Sequence, residues 1–112
     1  MERIGAVQFG SYPTDGVFPY SGLTLDTVGN LYGTTSQGGT GGTGTDTGTV
    51  FELSPNGSEE WSETPLHSFS NNGTDGFEPY AGVVRDAVTG NLYGTTPGGG
   101  TFAYGTVYEV TP

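Results

Sequence analysis

Gly29-Asn30-Leu31-Tyr32-Gly33-Thr34-Thr35 occurs twice in this chain, returning unchanged as Gly90-Asn91-Leu92-Tyr93-Gly94-Thr95-Thr96. Agreement extends outward from both copies. Upstream, Thr14-Asp15-Gly16 with Pro19-Tyr20 matches Thr74-Asp75-Gly76 with Pro79-Tyr80. Downstream, Gly48-Thr49-Val50-Phe51-Glu52-Leu53-Ser54-Pro55 matches Gly105-Thr106-Val107-Tyr108-Glu109-Val110-Thr111-Pro112. A short apolar stretch ending in Phe precedes each copy, Ala6-Val7-Gln8-Phe9 and Leu66-His67-Ser68-Phe69. So many matches in one order mark an internal duplication. The copies differ in their loops: Thr89 is an added turn residue, and the Gly-rich loop is longer in the first copy.

Each unit resolves into short strands. The first covers Gly22 to Asp26 (Gly82 to Asp86) and turns back at Gly29-Asn30 (Gly90-Asn91), residues that tolerate the positive φ of a hairpin. The second is Leu31 to Thr35 (Leu92 to Thr96), the third Thr49 to Ser54 (Thr106 to Thr111). A fourth, Pro65 to Ser70, follows the turn Ser54-Pro55-Asn56-Gly57-Ser58. Helical periodicity is missing, and the abundant Gly and Thr penalise helix. The expected fold class is all-β, each unit a four-stranded antiparallel meander like the blade of a β-propeller. Val50, Phe51 and Leu53, like Val107, Tyr108 and Val110, place apolar groups on both faces of one strand, as expected for sheets packed between neighbours.

Composition narrows the function classes. The 112 residues include 22 Gly and 7 Pro, yet 12% are aromatic, which a disordered chain would lack. A net charge of −10, with Arg3 and Arg85 the only Lys or Arg, excludes a nucleic-acid-binding surface. With no Cys there is neither a disulfide framework nor a thiolate metal site. No apolar run approaches the ~20 residues of a membrane-spanning helix, and Met1-Glu2-Arg3-Ile4 leads into strand-like sequence rather than a signal peptide. The acidic, lysine-free surface suits an extracellular or cell-surface protein.

The pattern Gly-Leu-Thr-Leu-Asp, turn, Gly-Asn-Leu-Tyr resembles the first two strands of NHL-type propeller blades. More closely, the whole chain resembles the bacterial GloVer tandem repeats. Pro-Tyr-x-Gly-Leu/Val, Gly-Asn-Leu-Tyr-Gly-Thr-Thr, the Gly-rich loop and Gly-Thr-Val-Phe/Tyr-Glu-Leu/Val carry that resemblance, which leaves out only the acidic insert around Glu59, Glu60, Trp61 and Glu63. It implies propeller-like blades on exported or surface-anchored proteins and supplies no catalytic residues to transfer.

The repeat is out of phase with the chain. A unit counted from first strand to fourth is complete over 22–70, whereas 82–111 holds three strands. The missing strand type occurs at the other end, in Ile4 to Phe9. The expected organisation is therefore a donor strand (1–10), a first blade (11–70) and a three-stranded second blade (71–112). Propellers close with about four to eight blades, so two cannot close alone. An unpaired strand edge is a template for another chain. Ile4, Ala6, Val7 and Phe9 are the expected donor, and Thr106, Val107, Tyr108 and Val110 the acceptor in a neighbouring copy. Such a head-to-tail contact builds a filament or, where rotation closes it, a ring.

Candidate chemistry is weak. Gly39-Thr40-Gly41-Gly42-Thr43-Gly44 fits a dinucleotide-binding pattern but has no helix after it. His67 has neither a Cys nor a second His to share a metal. No nucleophile-elbow motif supports a Ser-His-Asp assembly, and no catalytic residue is expected. Asp15 and Asp75, in matched Thr-Asp-Gly turns, and Asp26 and Asp86, at matched strand ends, are candidate Ca²⁺ ligands, although the same residues suit Asx turns. Asn56 and Asn72 open glycosylation sequons, and the Thr-rich loop from Thr40 to Thr49 offers O-linked sites. Tyr20, Tyr32, Tyr80, Tyr93, Tyr104, Tyr108, Phe18, Phe77 and Phe102 suit packing between blades better than sugar stacking. Trp61, in the unmatched insert, is expected at the surface, where it would serve as an interface residue. The expected function is a non-enzymatic subunit of a surface filament whose partner is itself. The alternative is a segment of a carbohydrate- or ligand-binding propeller.

Overall fold

A computed structural model of the chain describes residues 7–10, 15–40, 47–57 and 60–112. Among these residues there is no helix; all eleven strands lie in antiparallel sheets of two to four strands. The first repeat contributes β1 (Gly16–Val17), β2 (Thr24–Leu25), β3 (Leu31–Thr35), β4 (Gln37–Gly38), β5 (Thr49–Pro55) and β6 (Trp61–Ser68). The second contributes β7 (Gly76–Phe77), β8 (Val84–Arg85), β9 (Leu92–Thr96), β10 (Gly98–Gly99) and β11 (Thr106–Val110). The repeated heptapeptide supplies β3 and β9, the second strands of two meanders. The first sheet runs β2-β3-β5-β6 and the second β8-β9-β11.

Turn chemistry sets the hairpins. Asp26 Oδ1 accepts the N–H groups of Val28 and Asn30, each at 2.9 Å, and Gly29 takes φ 96°. Asp86 repeats this with Val88 N–H at 2.8 Å, adds the Thr89 hydroxyl at 3.0 Å, and Gly90 takes φ 79°. These side-chain bonds satisfy turn N–H groups that no strand reaches.

The first strand of each unit is only two residues long, Thr24–Leu25 and Val84–Arg85, rather than the expected Gly22 to Asp26 and Gly82 to Asp86. Two further features differ from the expected strands. The fourth strand begins at Trp61, not Pro65, so the acidic insert is woven into β6. Its register shifts between Val50 and Phe51, which face His67 and Pro65 and leave Leu66 as a bulged extra residue. Pro65 is tolerated because β6, among the described residues, is an edge strand. The second difference is a pair of two-stranded ribbons, β1 with β4 and β7 with β10.

These ribbons explain most of the repeated residues. Thr35 and Thr49 stand opposite one another with hydroxyls 2.7 Å apart, as do Thr96 and Thr106, also at 2.7 Å. Gly16 and Gly76 lie directly on these pairs: a Cβ on Gly16 would overlap Thr35 Oγ1 and come within 2.6 Å of Thr49 Oγ1. On Gly76 it would overlap Thr96 Oγ1 and come within 2.5 Å of Thr106 Oγ1. The carbonyls of Asp15 and Asp75 accept N–H bonds from Gly39 and Gly100, each at 2.8 Å. Thr-Asp-Gly, Thr-Thr and Gly-Thr-Val thus meet at one clamp in each repeat.

The core lies between the two sheets. Tyr32 and Val50 from the first pack with Phe69, Val83 and Leu92, and Leu66, Phe77, Tyr108 and Val110 close its margins. Hydrogen bonds tie the faces together. Thr34 Oγ1 donates to the Ala81 carbonyl at 3.0 Å, Thr24 Oγ1 to the Val83 carbonyl, and Glu78 N–H to the Thr47 carbonyl at 2.9 Å. Phe69, the residue after β6, is fully buried and meets Tyr108 edge-on at 5.0 Å. The strand that completes the first sheet therefore delivers the side chain that seals the second.

Candidate functional site

Each candidate Ca²⁺ ligand accepts a backbone N–H from a residue close to it in the chain. Asp15 Oδ2 accepts Gly10 N–H at 2.9 Å, and Asp75 Oδ2 accepts Ser70 N–H and faces His67 Nε2, both at 3.0 Å. Burial would raise the Asp26 carboxyl, but bonds from Asn30 N–H, Val28 N–H, the Tyr32 hydroxyl and the Asn30 amide hold it at about 2. Asp86 is likewise lowered, chiefly by Val88 N–H and the Thr89 hydroxyl. Among the described residues no group of three His, Cys, Asp or Glu side chains converges on a metal-sized space. Asn56 and Asn72 are exposed; Asn72 Oδ1 caps its turn by accepting Thr74 N–H at 3.0 Å and Asp75 N–H at 2.8 Å. Of the Thr-rich loop, residues 41–46 lie outside the described residues.

One carboxylate that the sequence did not single out is perturbed. Glu63, on β6, is pushed up to about 7 by burial first, and then by the charge of Asp15 and a hydrogen bond with it. An acid whose pKa rises on folding stabilises the fold while protonated and loses that stabilisation as pH climbs through its folded pKa. Between about pH 5 and about pH 8 the melting temperature is expected to fall. Glu63→Gln should flatten that fall relative to the parent chain, with His67 unchanged in both proteins. Equal slopes in the two thermal titrations would exclude Glu63 as the cause.

The expected donor segment lies partly outside the described residues: Ile4 and Ala6 are not among them, Val7 and Phe9 are. Residues 7–10 form no strand, and Phe9 meets Phe51 edge-on at 5.1 Å. Phe9 and Phe51 hold the repeat positions of Phe69 and Tyr108, so one contact is made twice, once per sheet. The expected acceptor, Thr106, Val107, Tyr108 and Val110, lies in β11, which pairs with β9 on one side and, among the described residues, is an edge strand on the other. Its counterpart β5 carries β6 on that edge.

Two sheet faces look away from the core, one mixing valines with polar residues and the other largely apolar. The first is the outer face of the second sheet, where the registered positions are Val84, Tyr93, Glu109, Thr95 and Val107. Val107 is 80% exposed, whereas Val50 at the same repeat position is 0%. Only one of the two valines thus has sheet on both sides, although the sequence treats them alike. The second is the outer face of the first sheet, a groove of about 460 Å³ whose lining includes Phe9, Leu23, Leu31, Phe51, Leu53 and Trp61. Trp61 is half-buried there. Both faces could have been found by comparing repeat positions: Val107 is the exposed twin of buried Val50, and Leu23, 53% exposed, that of Val83 at 4%. Phe51 and Leu53 in the groove are themselves buried.

Of the matched aromatics, Tyr32, Phe69 and Tyr108 pack between the sheets, and Tyr20 and Tyr80 stack at 5.8 Å. Tyr93 instead donates its hydroxyl to Glu109 at 2.6 Å, and Phe102 and Tyr104 are exposed. Among the described residues no helix is long and apolar enough to cross a membrane. Neither a curated protein nor a solved structure matches the chain. A family model, described as the Gloeobacter/Verrucomicrobia repeat, matches residues 5–112.

Proposed function

Because the chain belongs to the Gloeobacter/Verrucomicrobia repeat family, we propose that it is a non-enzymatic structural repeat protein of the cell surface. In this reading each repeat is a propeller-like blade, and copies join head-to-tail into a filament by strand exchange. The observation that carries it is the doubled aromatic contact. Phe69 follows a strand that pairs with β5 of the preceding sheet, and it then seals the next sheet against Tyr108. Phe9 seals the first sheet against Phe51 in the same way. By that equivalence the residues just before Phe9 pair along β11 of a neighbouring copy, taking the place β6 holds on β5. Backbone hydrogen bonds along a free strand edge supply the affinity, and alternating side chains fix the register.

Unmodified chain should sediment as a concentration-dependent series of assemblies. A synthetic peptide of residues 1–9, in molar excess, should cap β11 and return the chain to monomer, while a scrambled peptide should not. Assembly that ignores the peptide would rule out strand exchange. The acidic chain also opposes its own association, so added salt should favour the filament.

A further inference from the structure

We infer that the outer face of the second sheet docks into the groove of the first sheet in a second copy of this chain. The inference rests on the self-assembly reading above and concerns sheet faces, where strand exchange concerns a sheet edge.

The contact is already made once inside the molecule. Tyr32, Thr34 and Val50 on the first sheet are buried against a surface built by Val83, Leu92 and the Ala81 carbonyl. Advancing each side by one repeat gives Tyr93, Thr95 and Val107 on one part, and Leu23, Leu31 and the Ser21 carbonyl on the other. The first set stands on the outer face of the second sheet. Leu23, Leu31 and Ser21 line the groove. Donor and acceptor surfaces are therefore present on opposite ends of one stack, with matching residues in matching places.

Individual contacts carry over as well. Thr34 Oγ1 bonds to the Ala81 carbonyl, so Thr95 Oγ1 would bond to the Ser21 carbonyl of the next copy. Tyr80 would stack on Tyr20 of that copy as it stacks on its own Tyr20, extending one line of rings along the assembly. The bond from Thr24 to the Val83 carbonyl has no polar counterpart, because Val84 replaces Thr24 and meets Leu23 with methyl groups instead. The contact thus becomes more apolar where it joins two chains. A heterologous contact of this kind propagates, because docking one end leaves the other end open.

The test blocks each face separately. Val107→Asp places a charge on the outer face, and Leu23→Asp places one in the groove. Both side chains are more than half exposed, 80% and 53%, so both variants should keep the parent circular dichroism. In sedimentation each variant alone is expected to lose face-to-groove pairing altogether, and the threshold concentration for assembly to rise by about tenfold or more. Mixed together they should form a one-to-one pair, because Leu23→Asp retains an intact outer face and Val107→Asp an intact groove. Assembly of Val107→Asp at the parental concentration would overturn the inference, as would a mixture that stays monomeric. A chain lacking residues 1–6 keeps Phe9 and separates the two readings. If it fails to assemble while Val107→Asp assembles, strand exchange stands and face docking falls. If it assembles while Val107→Asp does not, the reverse holds. A parent chain that stays monomeric at every concentration overturns both.

Discussion

Phe69→Ala is expected to cost about 4 kcal/mol, the largest loss from any single truncation in this chain. The ring is fully buried in the core between the sheets, packs on Tyr108 at 5.0 Å and His67 at 4.7 Å, and its N–H bonds to the Gly48 carbonyl at 3.0 Å. Alanine keeps the backbone bond and removes the ring, leaving a void bordered by rigid strands that cannot collapse into it. Small domains hold only about 5 to 15 kcal/mol in all, so the variant should unfold at much lower urea. Phe9→Ala is the matched control. Its ring makes the same edge-on contact from a half-buried site and should cost about 2 kcal/mol. Urea titrations in which Phe9→Ala proves the more damaging would show that the core has been placed at the wrong end.

Gly16→Ala and Gly76→Ala should each destabilise by about 3 kcal/mol, for a reason opposite to a cavity. The added methyl has no room, because the threonine hydroxyl pairs beneath, Thr35 with Thr49 and Thr96 with Thr106, occupy its position. To admit it, a pair must separate. In the first repeat that would break the 2.7 Å bond and disturb the 3.1 Å bond from Thr49 N–H to Thr35 Oγ1, which is buried. Gly22→Ala offers the contrast: nothing lies within 4 Å of its Cβ position, and its cost should be near zero. Equal melting temperatures for Gly16→Ala and Gly22→Ala would show that the clamp gives way freely.

What the sequence made legible, and what it hid, follows from element length. The heptapeptide reads as a strand because Gly-Asn marks a turn and five residues follow without a break. Its partners, the Gly-Thr-Val strands, read equally well. The ribbons did not, because two-residue strands such as Gly16–Val17 and Gln37–Gly38 carry no periodicity. The start of β6 was hidden by its composition: Ser62-Glu63-Thr64-Pro65 reads as a loop, and only an edge position with a bulge makes it strand. Aspartates that the sequence left open between turn and metal ligand are seen bonding turn N–H groups. Burial was the hardest to read. Val50 and Val107 look identical in sequence, and their difference depends on what lies beyond each sheet.

The handover of Phe69 from one sheet to the next bears on how the molecule comes apart. A unit whose last strand belongs to its own sheet and whose next residue plugs its neighbour cannot melt by itself, since losing one opens the other. Such coupling is nearest-neighbour in character, so unfolding should spread from the ends inward, as fraying does in a linear lattice. Each unit added to an array would then raise the stability of those already present, and an isolated repeat would be the weakest form the sequence can take.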